Sequence, residues 1–325
     1  MEPETKLNNF ARFAWAVLGW NIVVILWGVF LRASKSGDGC GQHWLTCQGE
    51  VIPSAPALKT VIEFSHRISS SLDGLLLIVL LVWAFLIWKR ERTESAKRIL
   101  KMAGASFVFV VIEGLLGAGL VLTGNTAENL TPERPFWMAA HLVNTLILLT
   151  FLTLTARYAS GGKPLNVRVE RKHMAAIVIG FAAVLLVGIT GSIAALSHMI
   201  FPSGTIAEGM AKDFSPTSNI LLRLRLLHPI TAILTSVFLI FLTGWLTKES
   251  GKERSVVRWS NALAILVLIQ IGFGSLTLLT LAPIVMQLGH LLFVDAIWIS
   301  YVMFAAGFLS AERPTEVAET ELVSS

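Results

Sequence analysis

Four of the seven histidines in this 325-residue chain stand near the start of long apolar segments. They are His66 in EFSHR, His141 in AAHLVN, His228 in LLHPIT and His290 in LGHLLF. Histidine is the commonest side-chain ligand for a metal or a haem iron. Two imidazoles facing each other inside an apolar bundle can hold a haem between them. The four form two pairs, His66 with His141 and His228 with His290, and each pair spans one helical hairpin with its connections. Metal or haem ligation by these four residues is the chemistry the spacing predicts. His43, His173 and His198 fall in loops or at helix ends and have no such partner, so no ligand role is expected of them.

The residues beside the histidines make the two pairs unequal. Glu63 precedes His66 by three positions and so shares its helix face, and Arg67 follows directly. Before His228 stand Arg223 and Arg225 instead, with Pro229 after it. A carboxylate near a membrane interior is costly and implies function, although a plain i, i+4 ion pair between Glu63 and Arg67 is the alternative. Arg67 and Arg225 are suited to bind haem propionates bidentately. The asymmetry predicts one reactive half and one binding or electron-relay half.

The elements that carry these residues must cross a membrane. Hydrophobic residues make up 54% of the chain and charged residues 14%, with a mean hydropathy of +0.69. Eight apolar blocks are each long enough to span a bilayer, near 10–31, 64–88, 102–123, 136–158, 174–197, 220–246, 258–281 and 284–309. Backbone groups in lipid must be satisfied within the segment, so the blocks are helices and the fold class is an all-α membrane protein. The net charge of +5 and pI near 9.4 do not signal nucleic-acid binding, because the basic residues gather in alternate loops. Lys89, Arg90, Arg92, Lys97, Arg98 and Lys101 lie between the second and third blocks. Further clusters follow the fourth and sixth. The positive-inside rule then makes those loops and both termini cytoplasmic. No cleaved signal or transit peptide is expected, which favours a bacterial inner membrane.

With this orientation all four paired histidines enter from the outer side at similar depth. The third and seventh blocks also share a pattern, Glu113-x-x-x-Gly117 against Gln270-x-x-x-Gly274. Together these predict two pseudo-repeated four-helix bundles. One covers residues 1–160 and the other 161–310, with a disordered acidic tail over 311–325. Asp73 and Asp295 are candidate groups behind His66 and His290.

The two cysteines, Cys40 and Cys47, share the loop after the first block, which the topology puts outside. Thiols there can be oxidised, and a disulfide is favoured over a metal site with His43, whose spacing fits no usual zinc pattern. Redox exchange and a structural role both stay open.

At this point the chain resembles the haem A synthase family over nearly its whole length. The resemblance rests on eight helices in two halves, E-x-x-H-R at Glu63–Arg67 and three further helix-borne histidines. It also includes Cys40-x6-Cys47 with Gly49 and Ile52-Pro53 after it, Gly28-Val-Phe-Leu-Arg32, and the LLG and GFG segments of helices three and seven. It implies that His66 and His141 bind the substrate haem O, that His228 and His290 ligate a haem b cofactor, and that Glu63 is the essential acid near the reacting methyl. Cys40 and Cys47 would be a disulfide-capable pair. The implied reaction is oxidation of the C8 methyl of haem O to the formyl group of haem A, written as two hydroxylations and loss of water. Glu113 departs from the family pattern, where Gln is usual; a proton-path element, a neutral hydrogen-bonding acid and a protonated substitute are the readings, the last favoured. Handover of so hydrophobic a substrate suggests a haem O synthase, an oxidase assembly factor or a second copy of the chain as partner, besides membrane lipid. A di-haem b-type electron-transfer cytochrome and a haem carrier are the competing readings.

Overall fold

The computed structural model describes residues 9–129 and 131–311; the acidic tail expected over 311–325 lies outside them beyond Ala311. Among the described residues there are ten helices and no strand. They are α1 (Asn9–Ala33), α2 (Leu58–Glu91), α3 (Glu94–Leu122), α4 (Arg134–Ala159), α5 (Arg171–Ile200), α6 (Ile206–Phe214), α7 (Ile220–Arg225), α8 (Leu227–Glu249), α9 (Arg254–Leu279) and α10 (Ile284–Ser310). Eight segments are long and apolar enough to cross a membrane, with α7 and α8 together forming the sixth. The chain is a multi-pass membrane protein of all-α class.

Local chemistry sets several helix ends. Thr93 accepts from Ala96 N at 3.1 Å to start α3, and Glu253 accepts from the amides of Ser255 and Val256 to start α9. The sixth span is broken at Leu226, between α7 and α8. Pro229 has no N–H, and its ring would collide with the carbonyl of Arg225 in an unbroken helix. Two features exceed the sequence expectation. The second span begins at Leu58 rather than near 64. The connection after α5 contains the short helix α6, capped by Thr205, whose hydroxyl accepts from Glu208 N while Glu208 accepts from Gly204 N.

The helices present apolar faces outward as well as inward. On α2 Leu75, Val79, Val82 and Leu86 form an exposed stripe suited to lipid, while Asp73, Leu77, Leu80 and Ala84 form the buried one. Both stripes are apolar, so only Asp73 marks the inner face by type; its Oδ2 accepts from Asn21 Nδ2 at 2.7 Å, while Oδ1 is buried without a partner among the described residues. Helices α1 to α4 pack around one another, as do α5, α8, α9 and α10 in part, and α1, α4, α5 and α10 join the two groups. One continuous core runs through both, including Leu149 and Leu152 of α4 with Tyr301 and Phe304 of α10. A hydrogen bond crosses the junction from Trp298 Nε1 to Thr150 Oγ1 at 2.9 Å. Within the second group Tyr301 Oη donates to Ile177 O at 2.9 Å.

Candidate functional site

The first site gathers on α1 to α4. His66 on α2 and His141 on α4 are within electrostatic reach of each other and of Glu113 on α3. Nδ1 of His66 is buried without a hydrogen-bond partner. Nδ1 of His141 lies 2.8 Å from Oε1 of Glu113. Glu113 is itself held on both oxygens. Oε2 accepts from Asn144 Nδ2 at 2.5 Å, and Oε1 accepts a short bond from Thr145 Oγ1. Asn144 and Thr145 lie three and four positions after His141, so one turn of α4 fastens the acid beside its own histidine. Glu113 is therefore a specific partner of His141, which the reading as a mere substitute for Gln did not foresee.

Glu63 is buried at 3% exposure, and its carboxylate is fully engaged. Arg67 donates to Oε1 from Nε at 3.1 Å and from Nη2 at 2.5 Å. The backbone N–H of Cys40 donates to Oε2 at 2.8 Å. The ion pair with Arg67 is thus present, and a second contact from the outer loop accompanies it. Nη1 of Arg67 donates to the carbonyls of His43 and Thr46 at 2.6 and 2.8 Å. Cys40 and Cys47 form a disulfide, and both residues are fully buried. The loop closes further where Gly39 O accepts from Thr60 Oγ1 at 2.8 Å. The disulfide, Arg67 and Thr60 together press this loop onto the start of α2 and aim a backbone amide at Glu63.

The second site gathers on α5 and α8 to α10. The rings of His228 and His290 face each other with centroids 6.2 Å apart and planes at 81°. Gln270 on α9 approaches His290 Nε2 at 3.2 Å and donates to His290 O at 3.1 Å. Nδ1 of His290 is buried and unpartnered. Thr190 Oγ1 lies 3.4 Å from His228 Nδ1. Gln270 is thus on the helix before His290 as Glu113 is on the helix before His141, an amide at Nε2 where the first site has a carboxylate at Nδ1. Asp295 is buried with Oδ2 unpartnered.

Glycines make room for three of the rings. A Cβ at Gly28 would come 3.1 Å from His66, one at Gly191 2.9 Å from His228, and one at Gly274 3.0 Å from His290. Gly28 on α1 and Gly191 on α5 are separated by nearly the same interval as His66 and His228. That interval was a sequence signal for both glycines. The space cleared beside these three rings is what could admit an iron, whereas His173, whose Nδ1 is likewise unpartnered, is packed between two aromatic rings.

Arg67 and Arg225 are both spoken for by protein acceptors. Arg225 donates from Nε to Asp213 Oδ1 at 2.7 Å, and its Nη2 lies 2.6 Å from the same oxygen, which anchors α6. His173 is buried against Trp245 and Phe308 with Nε2 3.2 Å from Glu249, as a core residue. His43 has no thiolate neighbours to share a metal with, since both cysteines are in the disulfide.

Comparison with known proteins gives the family. Residues 11–302 match the family described as cytochrome oxidase assembly protein, COX15-CtaA. The chain belongs to that family. A protein of Thermus thermophilus named protoheme IX farnesyltransferase is 39% identical over 302 residues, covering 93% of this chain and 49% of the relative. The chain spans about half the length of that relative. A heme A synthase of Halalkalibacterium halodurans is 30% identical over 287 residues, covering 85% of this chain and 89% of the relative. A heme A synthase of Bacillus cereus is 27% identical over 307 residues, covering 93% and 94%.

Proposed function

We propose that this chain is a haem A synthase, an oxidoreductase that converts the C8 methyl of haem O to the formyl group of haem A. The observation that carries the reading is the chemical inequality of two otherwise matched histidine sites. Glu113 stands beside the His66/His141 pair, with Glu63 one helical turn before His66, whereas the neutral side chains Gln270 and Thr190 stand beside His290 and His228. A pure relay between two equivalent haems has no use for that difference.

In this reading haem O is seated as substrate by His66 and His141, and His228 and His290 hold haem b. The cofactor supplies one-electron chemistry when bound, and the protein supplies position and electrostatics. Glu63 stabilises the methyl carbon as it loses electron density, or takes the proton it releases. The hydrogen bonds from Cys40 N and from Arg67 keep its oxygens from turning away. Glu113 orients His141 through Nδ1, leaving Nε2 for iron, as a carboxylate does behind many metal-bound histidines. Asp73 and Asp295 stay at the buried ends of these sites with no step assigned to them.

The basic loops after α2, α4 and α8 support an orientation with those connections and both termini in the cytoplasm of a bacterial cell and the Cys40–Cys47 loop outside the inner membrane. The Thermus relative carries a farnesyltransferase name over roughly twice this chain's length. A haem O synthase is accordingly the partner expected to hand over the substrate, ahead of an oxidase assembly factor or a second copy.

The test is expression in a host that makes haem O but no haem A, followed by extraction and chromatography of the haems. Haem A or its hydroxylated intermediate is expected. A folded, haem-loaded protein that yields neither would leave the electron-transfer cytochrome or the haem carrier as the better reading.

A further inference from the structure

Arg32, near the outer end of α1, carries five guanidinium donors, and none has an acceptor among the described residues. The charged group that acts on it is another cation, Arg134, whose Nη1 and Nη2 donate to the carbonyls of Asn129 and Ala127. Arg32 opens into a cavity of about 180 Å³ lined also by Lys35, Ala195, His198, Pro283 and Gln287. Lys35 is already paired with Glu128, and among the described residues no acidic one lines the cavity. A half-buried guanidinium left without a counter-ion is costly, because desolvation is not repaid by any attraction.

The place of the cavity indicates what completes it. Arg32 lies one turn outward from Gly28, the glycine that abuts His66, and shares its helix face. His198 lies two turns outward from Gly191, which abuts His228, and Gln287 precedes His290 by three residues. The cavity therefore sits between the two histidine sites, on their outer side. It is smaller than the roughly 300–1,000 Å³ of a whole small-molecule site, which suits an acidic substituent better than a macrocycle.

We propose that Arg32 binds a propionate carboxylate of the haem seated on His66 and His141. A guanidinium meets a carboxylate through two parallel N–H···O bonds, and the cavity supplies the room for it. This inference rests on the functional reading above. A phospholipid phosphate offers similar oxygens from a different source.

The experiment titrates the haem-depleted full-length protein with protohaem and with protohaem dimethyl ester, which lacks the carboxylates, following the Soret band. Wild type is expected to bind the acid about 10- to 100-fold more tightly than the ester, the range for a hydrogen-bonded charge. Arg32→Gln should lose most of that preference, and Arg32→Lys should keep part of it. An equal affinity of wild type for acid and ester, or a preference unchanged in Arg32→Gln, would overturn the proposal. So would release of a bound phospholipid by Arg32→Gln in native mass spectrometry while the preference persists. Haem binding indifferent to His66→Ala and His141→Ala would instead remove the functional reading, and this site with it.

Discussion

Single side chains distinguish the two sites. Glu63 was legible in sequence because it shares one turn of helix with His66, and a local interval on a regular helix fixes which face a residue takes. Its contact with Cys40 was not legible, since a loop amide from 23 residues upstream supplies it. Glu63→Ala should keep bound haem but accumulate haem O in the haem-extraction assay. Unchanged haem A output would remove Glu63 from the reaction. Glu113 could be noticed by type, but its partner lies on another helix. Loss of a group that orients a metal-bound histidine typically costs 10–100-fold in affinity or activity. Glu113→Ala should therefore weaken haem binding at the His66/His141 site by about that factor, with the visible spectrum of the second site unaltered. A change confined to the second site would exclude the role assigned to Glu113.

Whole segments act through how closely they approach one another. At Gly39 an added Cβ would lie 2.4 Å from the backbone carbonyl group of Lys59, and backbone cannot step aside as a flexible side chain can. Gly39→Ala should push the loop off α2 and destabilise the protein by about 1–3 kcal/mol, the usual range for overpacking. Thermal unfolding would measure it, and hydrogen exchange over residues 38–48 should rise with it. The disulfide belongs to the same element. Cys40 and Cys47 are sealed from solvent, and a thiolate must reach a sulfur to exchange with it. Mild reductant should thus leave the folded protein without alkylatable thiols, while unfolding should release both. Ready labelling of the folded protein would restore the redox-exchange role. The break at Leu226 was implicit in Pro229, whereas α6 was not foreseen, because nine residues are too few to register among much longer spans.

At the scale of the molecule, the two groups of helices share one core and do not meet across a polar seam. Substitutions at one histidine site should nevertheless leave the other intact, because sites without shared partners respond independently. His290→Ala is expected to lose the b-type spectrum while haem still binds at His66 and His141. Loss of both signals in a folded protein would mean that the sites form one cooperative unit. Trp298→Phe removes the bond to Thr150 that ties α10 to α4. It should cost about 0.5–1.5 kcal/mol, without moving either spectrum.

The sequence by itself determined the helices and the histidines they carry, because lipid forces each span to satisfy its own backbone and the ligand type is written in the residue. Only the tertiary structure decided the partners. It brought Glu113 to His141 and Gln270 to His290, cleared space with Gly28, Gly191 and Gly274, and turned Arg67 and Arg225 toward protein acceptors while leaving Arg32 without one. The reason is physical. Apolar faces toward lipid and toward protein look alike in sequence, so which face meets which neighbour is settled by packing between helices.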